Sequence, residues 1–236
     1  MDNIPGWLDP ALNYATDAEM LSANDVRRSF LFPNQKEIIQ NEDDQKLPYM
    51  EDAVRAFRLV RGAHAYAEIG TFDKGNLAYV SSLLADDAII FDIDIESHPN
   101  QTEKLKGVIG ANQRLVTIVG SSTDDQTFRK LTEALDGQPL DALFIDGNHL
   151  AEAVISDFAM YGRLVRHEGI VLFHDSLMAR SNNNKPGVAK ALNTIDRVAP
   201  IYLIQGTGIP VHRFLPTFRA EIHWGVFGAH RKGDRA

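Results

Sequence analysis

From residue 65 onward the chain alternates short apolar, β-branched runs with stretches of helical spacing. Ala65-Tyr-Ala-Glu-Ile69 predicts a first strand and Asn76 to Leu84 the helix behind it. Ala88 to Asp94 predicts a second strand and Gln101 to Ile109 a helix. Leu115 to Val119 and then Gln126 to Leu135 repeat the pattern. Asp141 to Ile145, Ala151 to Leu164 and Gly169 to Phe173 complete it as strand, helix and strand. Such alternation predicts an α/β fold, a doubly wound Rossmann-like sheet that is mostly parallel. Pro200 to Gln205 and His223 to Gly228 suit a C-terminal antiparallel strand pair at the edge, after a helix from Val188 to Val198.

Upstream, Pro5, Pro10, Pro33 and Pro48 punctuate a mixed region in which Asp17 to Phe30 is the best helix. Glu51 to Val60 places Ala53, Phe57 and Val60 on one helical face and Asp52, Arg55 and Arg58 off it. The expected organisation is an extension over 1–50 (a lid or an oligomer contact), a main domain over 51–230 and a frayed tail over 231–236. Trp7, Tyr14 and Tyr49 are expected to anchor the extension, which makes a homo-oligomer the expectation.

Composition narrows the function. The 236 residues suffice for one large α/β domain. A net charge of -8 argues against a general nucleic-acid binder. The absence of cysteine removes disulfides, thiolate catalysis and Cys-ligated zinc. The N-terminus lacks a secretory pattern, and no apolar run is long enough to span a bilayer, so a cytoplasmic protein without a membrane partner is expected.

The candidate chemistry lies at strand ends. In a parallel sheet the C-terminal strand ends line the ligand crevice. Phe144-Ile-Asp146-Gly-Asn-His149 and Phe173-His174-Asp175 therefore bring two acids and two histidines to one mouth. A neutral imidazole near pH 7 suits His149 as a general base, three residues after Asp146. A capping or surface histidine is the plainer alternative. The turn Gly70-Thr71-Phe72-Asp73-Lys74-Gly75 follows the first strand, where glycine lets a ligand approach the backbone. Phe72 sits where a dinucleotide fingerprint has its middle glycine, which counts against a nicotinamide cofactor. Asp92, at the end of the second strand, suits ribose hydroxyls. Phe158, Tyr161 and Leu164 recur at helical spacing and are expected in the core. The loop from Arg180 to Pro186 follows the fifth strand and suits an acceptor lid.

Glu68-Ile-Gly-Thr-Phe72, Phe91-Asp-Ile-Asp-Ile95, Gly120-Ser-Ser122, Phe144 to His149 and Phe173-His-Asp175 occur in the order and spacing of a known group. Over roughly residues 50–228 the chain resembles class I S-adenosylmethionine-dependent methyltransferases. It is most similar to the branch of rhamnosyl and macrolide-sugar O-methyltransferases and so-called cephalosporin hydroxylases. The resemblance implies an enzyme that moves a methyl group to a hydroxyl of a small acceptor, a sugar or natural product. It implies S-adenosylmethionine as cofactor, with Glu68 and Gly70 near its methionine part and Thr71, Phe72 and Gly75 also binding it. Asp92 would then meet the ribose, Ser121 and Ser122 the adenine, and Asp146 would stand between cofactor and acceptor. His149 takes the role of base, with Asp146 also catalytic. A divalent metal (Mg or similar) would take Asp146, His174 and Asp175. Two departures stand out. His174 replaces an acidic ligand, which favours a softer ion or none. Lys74 stands where many relatives carry glycine. A non-catalytic nucleoside-binding protein and a nicotinamide-dependent oxidoreductase remain the alternatives.

Overall fold

The computed structural model describes residues 4–31, 51–181, 185–204, 211–213 and 227–234. Five parallel strands form the centre: β1 (Ala65–Ile69), β2 (Ile89–Asp94), β3 (Arg114–Val119), β4 (Leu140–Ile145) and β5 (Val165–Phe173). With β6 (Tyr202–Ile204), β7 (Val211–Arg213) and β8 (Phe227–Arg231) they make one sheet in the order β3-β2-β1-β4-β5-β8-β6-β7. Strand order reverses between β1 and β4, so the crevice opens where their C-terminal ends part.

β1, β2, β4 and the C-terminal half of β5 read as nearly unbroken apolar runs because both sheet faces are covered there, whereas the edge strand β3 is partly exposed. Tyr66, Ile90, Phe144 and Leu172 pack on one side, beneath Phe57 and Leu77. Ala67, Phe91, Leu143, Val171 and Phe173 pack on the other, beneath Leu131, Val154 and Leu192. The first layer comprises α1 (Asp9–Leu12), α2 (Asp17–Leu31), α3 over 51–57 and α4 (Gly75–Ser81). The second comprises α6 (Asp125–Leu135), α7 (Ala151–Tyr161) and α8 (Val188–Ile195). Between these in sequence lies α5 (Pro99–Lys106), amphipathic and mostly exposed. No helix among the described residues is long and apolar enough to cross a membrane.

The expected core positions of α7 hold: Tyr161 is buried, and Phe158 and Leu164 pack against the same cluster. Three other features differ from the sequence reading. Arg55 and Asp52 are buried with the apolar face of α3, and Arg55 Nε donates to the Ala11 carbonyl at 2.9 Å. The periodicity missed this because α3 lies between the sheet and the N-terminal segment and is covered on both sides. β8 is an interior strand, paired with both β5 and β6, and the unforeseen β7 takes the edge. Residues 231–234 are tied down: Asp234 accepts from Trp7 Nε1 at 3.0 Å and from Arg231. Trp7 also meets Tyr202 edge to face at 5.8 Å, so the N-terminal segment is stapled to the C-terminal strands. Tyr49, Trp224 and the tail at 235–236 lie outside the described residues.

Asp157 on α7 is fully buried, and burial pushes its carboxyl up to about 6, offset only in part by the Ser122 side chain. The fold accommodates the neutral acid, so this contribution is complete below about pH 4 and is lost as pH rises through about 6. Asp157→Asn is expected to flatten that slope and to stabilise the protein at pH 7 by on the order of 1–3 kcal/mol. Urea unfolding from pH 4 to 8 measures it, and an unchanged slope refutes it.

Candidate active site

A cavity of about 670 Å³ opens at the C-terminal ends of β1 to β5. Its geometry begins at Gly70, which has φ +87. A Cβ on Gly70 would lie 2.2 Å from the Asp146 carbonyl oxygen, so no other residue lets the turns after β1 and β4 pass this closely. The two turns are joined through the strand ends: the Asp146 amide donates to Ile69 O at 2.9 Å and the Gly70 amide to Ile93 O at 2.8 Å. Thr71 and Phe72 line the cavity beyond Gly70, with Phe72 exposed at the mouth. Across from them, Ser121 and Ser122 line the wall after β3. The Ser122 carbonyl accepts from Tyr161 on α7 at 2.8 Å, which fixes that turn to the helix layer.

Asp92 and Lys74 do not reach the cavity. Both are fully buried beneath the first turn, with Lys74 Nζ 2.7 Å from Asp92 Oδ1. Thr71 Oγ1 donates to the same oxygen at 2.6 Å and Thr117 Oγ1 to the other at 2.9 Å. The residue that faces the cavity is Asp94, two positions on, at the end of β2. Its Oδ2 accepts the Phe72 amide at 2.7 Å and its Oδ1 the Glu96 amide at 2.9 Å. Each oxygen keeps a second lone pair for a ligand. Asp92 and Asp94 share a strand face by the two-residue period. The signal that separates them is Lys74, a buried cation that needs a buried acid.

Glu68 and Gly75 also lie outside the cavity lining. Glu68 is fully buried and accepts from the Tyr66 hydroxyl at 3.0 Å. Burial, and next the negative charge of Asp146, push its carboxyl up to about 8, so it stays largely protonated at neutral pH. Gly75 starts α4, and a Cβ there would lie 2.9 Å from Cγ and Nε of Arg27. Arg27, on α2, does line the cavity, a contribution from the N-terminal extension that the sequence reading missed.

One end of the cavity gathers Asp146, His149, His174 and Asp175, the meeting that the strand-end motifs predict. His149 Nε2 is 3.5 Å from both Asp146 Oδ1 and Asp175 Oδ2. His174 Nδ1 is 3.0 Å from Asp146 Oδ1 and 3.4 Å from Asp175 Oδ1, and its ring packs against Phe227 and Phe144. The hydrogen bond that the His149 ring donates to Asp146 raises the His149 pKa above its ordinary value despite burial. Burial alone would raise Asp146, but the His174 and His149 imidazoles hold it below the usual carboxylate range. Asp175 reaches the cluster from a left-handed backbone at φ 48, a conformation aspartate tolerates better than most residues.

Ligand atoms of Asp146, His149 and Asp175 lie within 4.8 Å of one another, close enough to share one ion. The structure thus groups His149 with the two acids where the sequence reading placed His174, which flanks the same acids. Either imidazole with two carboxylates makes a mixed N/O set, better suited to a first-row transition ion than to magnesium. The described ends of the Arg180–Pro186 loop do not line the cavity: Arg180 bridges Pro186, and the Pro186 carbonyl accepts from Ala151 at the start of α7. Residues 182–184 of the expected lid lie outside the described residues.

The Lys74–Asp92 pair yields a direct test. Lys74→Met leaves a buried carboxylate uncompensated and is expected to cost roughly 3–5 kcal/mol. Combining it with Asp92→Asn is expected to recover most of that loss in urea unfolding. A single variant as stable as the wild type would contradict the pairing.

Comparison with known proteins agrees with this geometry. Residues 67–176 match the family model Methyltransf_24, described as a methyltransferase domain. The uncharacterized protein R132 of Acanthamoeba polyphaga mimivirus is 32% identical over 136 residues, 55% of this chain and 58% of that relative. The MycE methyltransferase of the mycinamycin biosynthetic pathway was solved with Mg, S-adenosylhomocysteine and mycinamycin VI. It matches with TM-score 0.53 at 16% identity, over 89% of this chain and 54% of its own. The O-methyltransferase from Bacillus cereus, solved with S-adenosylhomocysteine, matches with TM-score 0.50 at 14% identity, over 92% of each chain. At these identities the structural likeness is one of fold, and the chain spans little more than half the length of R132 and MycE. Residues 67–176 therefore resemble a methyltransferase domain, and the sheet carries the Rossmann-like fold shared by these solved methyltransferases.

Proposed function

We propose that the protein is an S-adenosylmethionine-dependent O-methyltransferase acting on a hydroxyl of a small acceptor, a sugar or natural product. One observation carries this reading: a single cavity joins Gly70, Asp94, Ser121 and Ser122 to the cluster of Asp146, His149, His174 and Asp175. The first group suits an adenosine moiety, with Asp94 accepting from the ribose hydroxyls and Ser121–Ser122 beside the adenine. The second suits a hydroxyl that must lose a proton. Both solved relatives named above were determined with S-adenosylhomocysteine, which supports the cofactor. Lys74 is paired below the turn, so its replacement of glycine does not fill the cavity.

In the transfer, the acceptor oxygen attacks the methyl carbon as the carbon–sulfur bond breaks, and S-adenosylhomocysteine leaves. His149 takes the hydroxyl proton. With Nε2–H turned to the two carboxylates, the neutral ring keeps its lone pair on Nδ1, and the acids stabilise the imidazolium that forms. Asp146, Asp175 and His174 would hold a divalent ion. When bound, that ion would act as a Lewis acid and ease ionisation of the acceptor hydroxyl. His149 would then keep its role as base.

Titration calorimetry with S-adenosylhomocysteine is expected to show micromolar binding, and its absence would remove the reading. His149→Ala is expected to lower turnover about 10²- to 10⁴-fold while cofactor affinity stays within about threefold. Turnover like that of the wild type would dismiss His149 as the base. Manganese binding should survive His149→Ala and fail in His174→Ala. The reverse pattern would make His149 a ligand.

A further inference from the structure

Arg27 takes no part in the transfer chemistry proposed above, yet it reaches the cavity from α2, outside the residues that match the methyltransferase model. Its position is built. α2 packs along α4, and Arg27 crosses the first residue of α4, where Gly75 leaves it room. A Cβ at Gly75 would meet Arg27 Cγ and Nε at 2.9 Å and Asp73 Oδ1 at 3.1 Å, so the guanidinium and the Asp73 carboxylate flank the same point. Asp73 is itself held there, accepting the Gly75 amide at 2.8 Å.

The charges in the cavity say what Arg27 is for. Asp73, Asp94, Asp146 and Asp175 line it, and among the described lining residues Arg27 is the one lysine or arginine. Such a cavity attracts cations and repels anions. The amino-acid tail of the proposed cofactor carries a sulfonium, an ammonium and a carboxylate. The acids suit the first two and oppose the third. A carboxylate enters only beside a fixed cation, and the planar fork of arginine matches its two oxygens.

Resting on the cofactor reading above, the geometry points to Arg27 as the residue that binds the carboxylate of the cofactor's methionine tail, with Gly75 conserving the space through which it reaches. The N-terminal helix α2 is then part of the cofactor site, and the methyltransferase domain alone lacks one pole of it. Gly75, assigned to direct cofactor contact on sequence grounds, acts through Arg27.

Two ligands separate this inference from the reading beneath it: S-adenosylhomocysteine, and 5′-methylthioadenosine, which has the nucleoside and thioether but no amino-acid tail. Calorimetry on the full chain is expected to show that Arg27→Met weakens S-adenosylhomocysteine about 10- to 100-fold and leaves methylthioadenosine within twofold. Arg27→Lys is expected to fall between, again for the first ligand alone. Gly75→Ala, which pushes the guanidinium aside, should reproduce the selective loss. Equal losses for both ligands in all three variants, or no loss in Arg27→Met, would overturn the assignment while the cofactor reading stands. A wild-type protein that binds neither ligand would overturn both.

Discussion

The site depends on one close passage of backbone. Where strand order reverses, the turn after β1 runs against the turn after β4, and Gly70 brings them within a distance that admits no side chain. This contact sets the spacing between the two ends of the cavity, the one lined by Asp94, Ser121 and Ser122 and the one lined by Asp146, His149, His174 and Asp175. It also directs Asp146 beside the first turn while its side chain joins the histidines. The flanking amide bonds to Ile69 and Ile93 make the passage a continuation of the sheet, so its precision is inherited from the buried strands.

Beneath that passage lie charges that do not line the cavity. Lys74, Asp92 and Thr71 form a buried hydrogen-bonded network that Thr117 joins from the exposed side of β3, and Glu68 with Tyr66 forms a second buried pair. Removing one partner from such a set costs more than the set contributes, which makes the networks rigid supports. Thr71 joins the two levels: it bonds to Asp92 below and lines the cavity above. The result is a division of labour within one strand, with Asp92 holding the turn and Asp94 facing the ligand space.

Much of this was legible in the order of residues. Alternating apolar runs located the five parallel strands within a few residues, because strands buried on both faces leave a plain signal. The motifs after β4 and β5 brought Asp146, His149, His174 and Asp175 to one place, since parallel strands end on the same side. What was hidden depended on partners distant in sequence. Asp92 and Asp94 look alike until Lys74 is seen to be buried. Nothing in the sequence separates Arg27 from the other charged residues of the 17–30 helix. Arg55 looked solvated until α1 was found across from it. The position of β8 within the sheet was also unreadable, since strand order beyond β5 is a matter of tertiary pairing.

The central claim is that the cavity holds the cofactor with its ribose on Asp94 and its sulfur toward the histidine–aspartate cluster. A crystal structure of the complex with S-adenosylhomocysteine tests it most directly. The account predicts ribose hydroxyls hydrogen-bonded to Asp94, the Lys74–Asp92 pair intact, and the sulfur facing Asp146 and His149. A nucleoside bound elsewhere, or a ribose on Asp92 with Lys74 displaced, would contradict it.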